Sequence, residues 1–255
     1  MKKIGLRIIL IGLILAAVGL VAVGEDWTPG MFWRWEGTNT QSPSAKAVIT
    51  IYVLTATKVL DATAYVLGQI NRFPDTSFVT LGEVMRQHDY PLCGFGAQFQ
   101  HNNLWRLNPP GWESKRTWSC PDDGTGTTVR RVEADDVTVT VPAGTYWHCR
   151  KLVEHHQVTH SDMTVDGTDT TWYSTEIDWP VKMVQTSTVN GVTYTGTMVL
   201  VEADTIAPAE AARQLLAAID EMEARHAVPS ADVYALVYAL RRKLLSLGLL
   251  PVSPP

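Results

Sequence analysis

Four histidines fall within thirteen residues: His148, His155, His156 and His160. On a helix, His156 and His160 would stand one turn apart and could share a zinc ion. On a strand the same spacing spans about 13 Å, too far for two ligands with bonds near 2 Å. The flanking Val153, Val158, Thr159 and Thr164 favour the strand, so no local zinc site is expected. The acidic residues Asp122, Asp123, Asp135, Asp136, Asp162, Asp166 and Asp169 lack the alternation and terminal glutamate of a calcium loop and read as turn formers. Ser119, Ser161 and Ser174 sit in no nucleophile motif, and no glycine-rich phosphate loop occurs. No catalytic residue, metal ligand or cofactor is therefore assigned. The aromatic surplus remains. Trp105, Trp118, Trp147 and Trp172 are the candidate ligand-binding residues, on the expectation that a curved sheet lined with tryptophan cradles an apolar ligand.

These side chains need a scaffold, and the first segment indicates where it works. Lys2, Lys3 and Arg7 precede an apolar run from Ile8 to Val23, the order of a secretory leader. As a helix that run covers about 24 Å, short of the roughly 30 Å hydrocarbon core. Ala22 and Gly24 suit cleavage after Gly24, and an uncleaved run would act as a membrane anchor. Either way residue 25 onward is extracytoplasmic: periplasmic, at the cell surface or secreted. Loss of the leader takes the net charge from −5 to −8, and with no basic cluster beyond it a nucleic-acid partner is excluded. In an oxidising compartment three cysteines leave one thiol over. Cys93 and Cys120, both in loop contexts, form the candidate disulfide, while Cys149 lies in a strand-like run.

The chain is 45% hydrophobic over 255 residues, enough for one large core and a small second unit. From Met31 to Glu202 it reads as antiparallel β-structure. Residues 47 to 54 are apolar on both faces, as in a central strand. Residues 72 to 110 show no sustained period and form an excursion across the sheet. Asn190-Gly191 predicts a type I′ hairpin in which paired residue numbers sum to 381. Val189, Val192, Met183, Met198, Val181, Leu200 and Tyr194 then share the core face, and Lys182, Thr186, Thr188, Thr193, Thr195 and Thr197 the wet one. A second hairpin is expected at Asp166-Gly167, setting His160 opposite Tyr173 and Ser161 opposite Trp172. Pro142-Ala143-Gly144 makes a tight corner, and Trp172 and Tyr173 point to opposite faces.

Past Ala203 the period changes to 3.6. Pro208 opens a helix carrying Ala212, Leu215, Leu216, Ile219 and Met222 in one stripe. Ser230 caps a second helix with Val233, Val237, Leu240, Leu244 and Leu247, stopped by Gly248. The fold class is mainly β: a strongly curved antiparallel sheet, as a half-barrel or barrel meander, with a C-terminal helical hairpin. The expected organisation is a leader or anchor over 1–24, a β-domain over 25–204 and the hairpin over 205–255.

Three stretches carry a resemblance: Asp136 to Tyr146 (DVTVTVPAGTY), Cys149 to Glu154, and Thr171 to Ile177 (TWYSTEI) followed by Val181-Lys182. They are similar to a family of secreted bacterial and archaeal β-domains reading VTVPAGTF, WYSPEVG and VK, over some 70 residues. The resemblance implies a curved half-barrel distantly like periplasmic lipoprotein carriers, and no established activity. Thr175 replaces the family's proline, and Asp178-Trp179-Pro180 its glycine-centred turn.

The sequence thus points to a non-catalytic binding domain of the cell envelope, taking an apolar small molecule, a lipid or lipoprotein segment, or an envelope protein. One alternative is a structural surface or adhesion component that oligomerises through residues 205–255. The other is a hydrolase or metalloenzyme with a site built from distant loops. Membrane contact is expected only through residues 1–24.

Overall fold

A computed structural model describes residues 27–40, 42–59, 62–74, 77–85, 108–120, 124–160, 163–225, 238 and 241–249. Residues 1–26, with the expected leader or anchor, and Trp105, Cys93 and Ser230 lie outside them. Among the described residues there are ten strands: β1 (Met31–Asn39), β2 (Ser42–Val59), β3 (Ala62–Arg72), β4 (Ser77–Met85), β5 (Glu113–Cys120), β6 (Gly124–Val141), β7 (Gly144–His160), β8 (Met163–Ser174), β9 (Trp179–Val189) and β10 (Val192–Thr205). Helix α1 (Pro208–Arg225) follows. The strands form one sheet in the order β4-β3-β2-β1-β10-β9-β8-β7-β6-β5, antiparallel from β2 to β4 and from β5 to β10. The sheet is open, with β4 and β5 as its edges, so the closed-barrel alternative is not adopted. Part of the expected excursion, Ser77–Met85, is a regular edge strand against β3.

The chain divides into two compact units, with the breaks at Glu36/Gly37, Ser44/Ala45, Met85/Arg86 and Leu200/Val201. In the unit holding most of β1 to β4 and α1, β2 is buried on both faces, from Ile49 through Leu54, as a central strand requires. Tyr52 and Leu54 join α1 in one cluster, where Ala212, Leu215, Ile219 and Met222 of the expected stripe are buried, Leu216 is only partly buried, and Ala211 and Ala218 widen the face. Leu244 joins this cluster. Residues 241–246 are helical and end in a Schellman cap: the Leu249 amide donates to the Leu244 carbonyl, the Gly248 amide to that of Leu245, and Gly248 has φ 67. On the other side Trp27 packs against Trp33 and Tyr65, with centroids 5.4 and 5.2 Å away.

The second unit is built on β5 to β9 and most of β10. The Asn190-Gly191 hairpin forms as expected: Val192 stands opposite Val189 and Met198 opposite Met183, and both turn residues have positive φ, 48 and 81. Hydroxyls of Thr186 and Thr195, and of Thr188 and Thr193, meet on the wet face at 3.3 and 2.9 Å. Val192, expected in the core, is 48% exposed. Pro142-Ala143 turns β6 into β7 with Gly144 at φ 149, as the sequence implies.

The other hairpin expectation fails. His160 faces Met163 and Tyr173 faces Arg150, so paired numbers sum to 323 rather than 333, and Trp172 stands opposite Lys151. Asp166 and Gly167 lie inside β8, opposite Gln157 and His156. A Cβ on Gly167 would come within 2.3 Å of His156 Nε2, so this glycine serves a close side-chain approach and not a turn. Asp169 is likewise a strand residue, and Asp135 and Asp136 belong to β6, not to turns.

Candidate functional site

The corrected register gives one face of β6 to β10 a layout that periodicity along any single strand does not show. Four rows run across the strands: Gly126, Val158, Val165, Val189, Val192; then Thr128, His156, Gly167, Ser187, Tyr194; then Arg130, Glu154, Asp169, Gln185, Gly196; then Val132, Leu152, Thr171, Met183, Met198. Two polar rows thus lie between two mainly apolar ones, because every second residue of a strand shares a face. The first row packs as a small cluster of Val158, Val165 and Val189, with Tyr194 against it. The last is nearly inaccessible: Val132, Leu152 and Thr171 are 0 to 2% exposed.

The polar rows are only partly satisfied. Arg130 Nε donates to Glu154 Oε2 at 2.5 Å. His156 Nδ1 and Asp169 Oδ2 are 3.9 Å apart, beyond hydrogen-bond range, with side chains 16% and 13% exposed. Asp169 Oδ1, Gln185 Nε2 and Ser187 Oγ are buried without hydrogen-bond partners among the described residues. Desolvation pushes the Asp169 carboxyl up to about 8; the Glu154 charge adds to this, and a weak side-chain hydrogen bond with Gln185, outside close hydrogen-bond geometry, offsets part of it. Desolvation also lowers His156, against the raising influence of Glu154 and Asp166. At neutral pH the seam therefore holds one neutral acid and one neutral imidazole beside a closed ion pair.

The candidate residues from the sequence lie elsewhere or outside the description. Trp105 is not described, and Trp118 stands opposite Gly126 on β5. Trp172 is on the opposite face from the seam, with Lys151 and Lys182 at 5.9 and 4.9 Å from its ring centroid. Trp147 is 57% exposed, and its amide donates to Glu176 at 2.8 Å. The histidine group disperses: His155 bonds Thr168 on the outer face at 3.2 Å, and His148 pairs with Asp136 across a double bulge where both have positive φ, 54 and 71. Among the described residues no three His, Cys, Asp or Glu side chains converge as a metal site. Cys149 is a buried free thiol, pushed up to about 11 by desolvation. The Cys93 and Cys120 pairing falls outside the description.

No family model matches this chain. No curated protein matches it either. Among solved structures, a proposed lipoprotein from Parabacteroides distasonis is similar at 15% identity and TM-score 0.42, over 69% of this chain and 96% of that one. A proposed exported protein with a YmcC-like fold from Bacteroides fragilis is similar at 13% identity and TM-score 0.43, over 72% of this chain and the whole of the other. The seam itself was hidden from sequence reading because Arg130, Glu154, Asp169 and Gln185 span 55 residues and only pairing aligns them. In a hairpin whose paired numbers sum to 323, Glu154 falls opposite Asp169, and this acid pair is the sequence signal of the seam.

Proposed function

We propose that this chain is a non-catalytic, extracytoplasmic binding domain that takes an amphipathic ligand on the four-row face of β6 to β10. One observation carries the reading: three buried polar atoms, on Asp169, Gln185 and Ser187, lack partners on neighbouring strands between two apolar rows. An unmet buried polar group costs about 1 to 3 kcal/mol, a burden a purely structural sheet avoids by placing apolar residues there. A ligand with a polar end and an apolar body satisfies both kinds of row. Hydrolytic chemistry draws no support from the seam, since Ser187 Oγ has no hydrogen-bonded base to activate it. The leader, with Lys2, Lys3 and Arg7 ahead of its apolar run, supports export.

The experiment is native mass spectrometry of the exported protein, followed by organic extraction and rebinding of the extracted material. One amphiphile bound per chain is the expected result. A folded protein that arrives empty and takes up no component of an envelope lipid extract overturns the proposal.

A further inference from the structure

We propose that the polar rows form a cradle of hydrogen-bond donors that holds the carboxylate of a single-chain amphiphile through Asp169 Oδ1, Gln185 Nε2 and Ser187 Oγ. This rests on the seam being the ligand site and specifies what the ligand's polar end must be. The three atoms, which have no close hydrogen-bond partner among the described residues, share a property: each can donate. The Gln185 amide nitrogen only donates, the Ser187 hydroxyl is free to turn, and Asp169 donates whenever it carries its proton, as a carboxyl pushed up to about 8 does at neutral pH. Glu154 Oε2 already accepts from Arg130 Nε.

Charge decides which acceptor fits. Around Asp169 stand Glu154 and His156 from β7, Arg130 and Thr128 from β6, and Gln185 and Ser187 from β9. Arg130 is neutralised by Glu154, and His156 is held below its ordinary range by desolvation, so no free cation awaits the headgroup. A dianionic phosphate would bring two charges beside Glu154 with nothing to balance them. A carboxylate brings one, shared among three donors and stabilised by the Asp169 proton, in the manner of an acid pair holding one hydrogen between two carboxyl groups. The alkyl body then lies along Val158, Val165 and Val189 with Tyr194. Val192 continues that row and is 48% exposed, which marks the end where the apolar track meets solvent.

Binding to the full exported chain is measured by calorimetry with three probes sharing a twelve-carbon chain: dodecanoate, dodecyl phosphate and dodecyltrimethylammonium. Dodecanoate is expected to bind tightest at pH 7 and to weaken about tenfold per pH unit above pH 8, as Asp169 loses its proton. Asp169→Asn, which keeps a donor at every pH, is expected to bind dodecanoate with no such slope from pH 7 to 9.5. Ser187→Ala and Gln185→Leu are each expected to weaken dodecanoate about five- to thirty-fold and leave the ammonium probe unchanged. Circular dichroism confirms that each variant is folded. Equal affinity for the carboxylate and ammonium probes, tighter binding of the phosphate, or indifference of dodecanoate to all three substitutions overturns the donor cradle while the amphiphile site stands. Failure of the folded wild type to bind any probe overturns both.

Discussion

Gly167 occupies the middle of a strand because the imidazole of His156 lies over it, with Nε2 where a Cβ would project. Adding a methyl group there pushes the ring toward Asp169 or strains β8. Gly167→Ala is expected to cost about 1 to 3 kcal/mol in urea unfolding, and His156→Ala in the same chain to recover part of the loss. Asp169 gives a second residue-scale prediction. Its folded pKa, about 8, lies above the ordinary value of 3.8, so the folded state keeps a proton that the unfolded chain releases. Its contribution to stability is whole below pH 4 and is lost as pH rises toward 8. His156, lowered in the fold, works in the opposite sense and only below its ordinary 6.5. Among the described groups with a resolved shift, Asp169 is the one whose loss falls between pH 6.5 and 8. Chemical denaturation across that window should show stability falling with pH in the wild type and nearly flat in Asp169→Asn.

At the scale of elements, the two predicted hairpins show what local sequence can and cannot specify. Around Asn190-Gly191 the turn chemistry and the alternation of two strands agree on one register, and the structure adopts it. Around Asp166-Gly167 the turn chemistry alone was persuasive, yet the glycine answers a side chain from the neighbouring strand, which no local pattern reveals. The helical stripe of α1 was legible for the same reason as the first hairpin: its period and its Pro208 start reinforce each other. The seam was not legible, since its polar residues come from four strands whose mutual register lies beyond local spacing. The turn residues themselves are testable. Gly191 has φ 81, which costs an L-residue about 1 to 2 kcal/mol, so Gly191→Ala should lower the melting temperature while cross-strand contacts between Met183 and Met198 persist in NMR spectra.

For the whole molecule, the question is whether residues 205–255 are an attachment device or part of the core. Leu215 and Ile219 are fully buried and Leu244 is 1% exposed, all in one cluster with Phe32, Tyr52, Leu54, Val66, Ile70 and Val79 from the strands. Arg241 reaches Asp220 at 2.7 Å within the segment, and Arg72 of β3 reaches Glu221 of α1 at 3.4 Å, an exposed pair that adds little to the buried cluster. Each large apolar side chain buried here is worth about 1.5 to 3 kcal/mol, so the three leucine and isoleucine side chains alone approach the total stability of an ordinary domain. Deleting 205–255 should therefore abolish the cooperative unfolding of this unit and the near-ultraviolet dichroism of Trp27, Trp33 and Trp35, rather than release a folded, merely monomeric protein. Leu244→Ala in the full chain should cost about 2 to 5 kcal/mol. Among the described residues, the large apolar side chains this segment turns outward are Tyr238 and Leu245, which are 68% and 41% exposed, and an assembly role through them is testable. Replacing both with serine removes that surface without touching the buried cluster. If the apolar stripe is committed to the fold, sedimentation velocity will show the same species before and after the double replacement, and a shift to smaller species would instead assign the outer helical face to self-association.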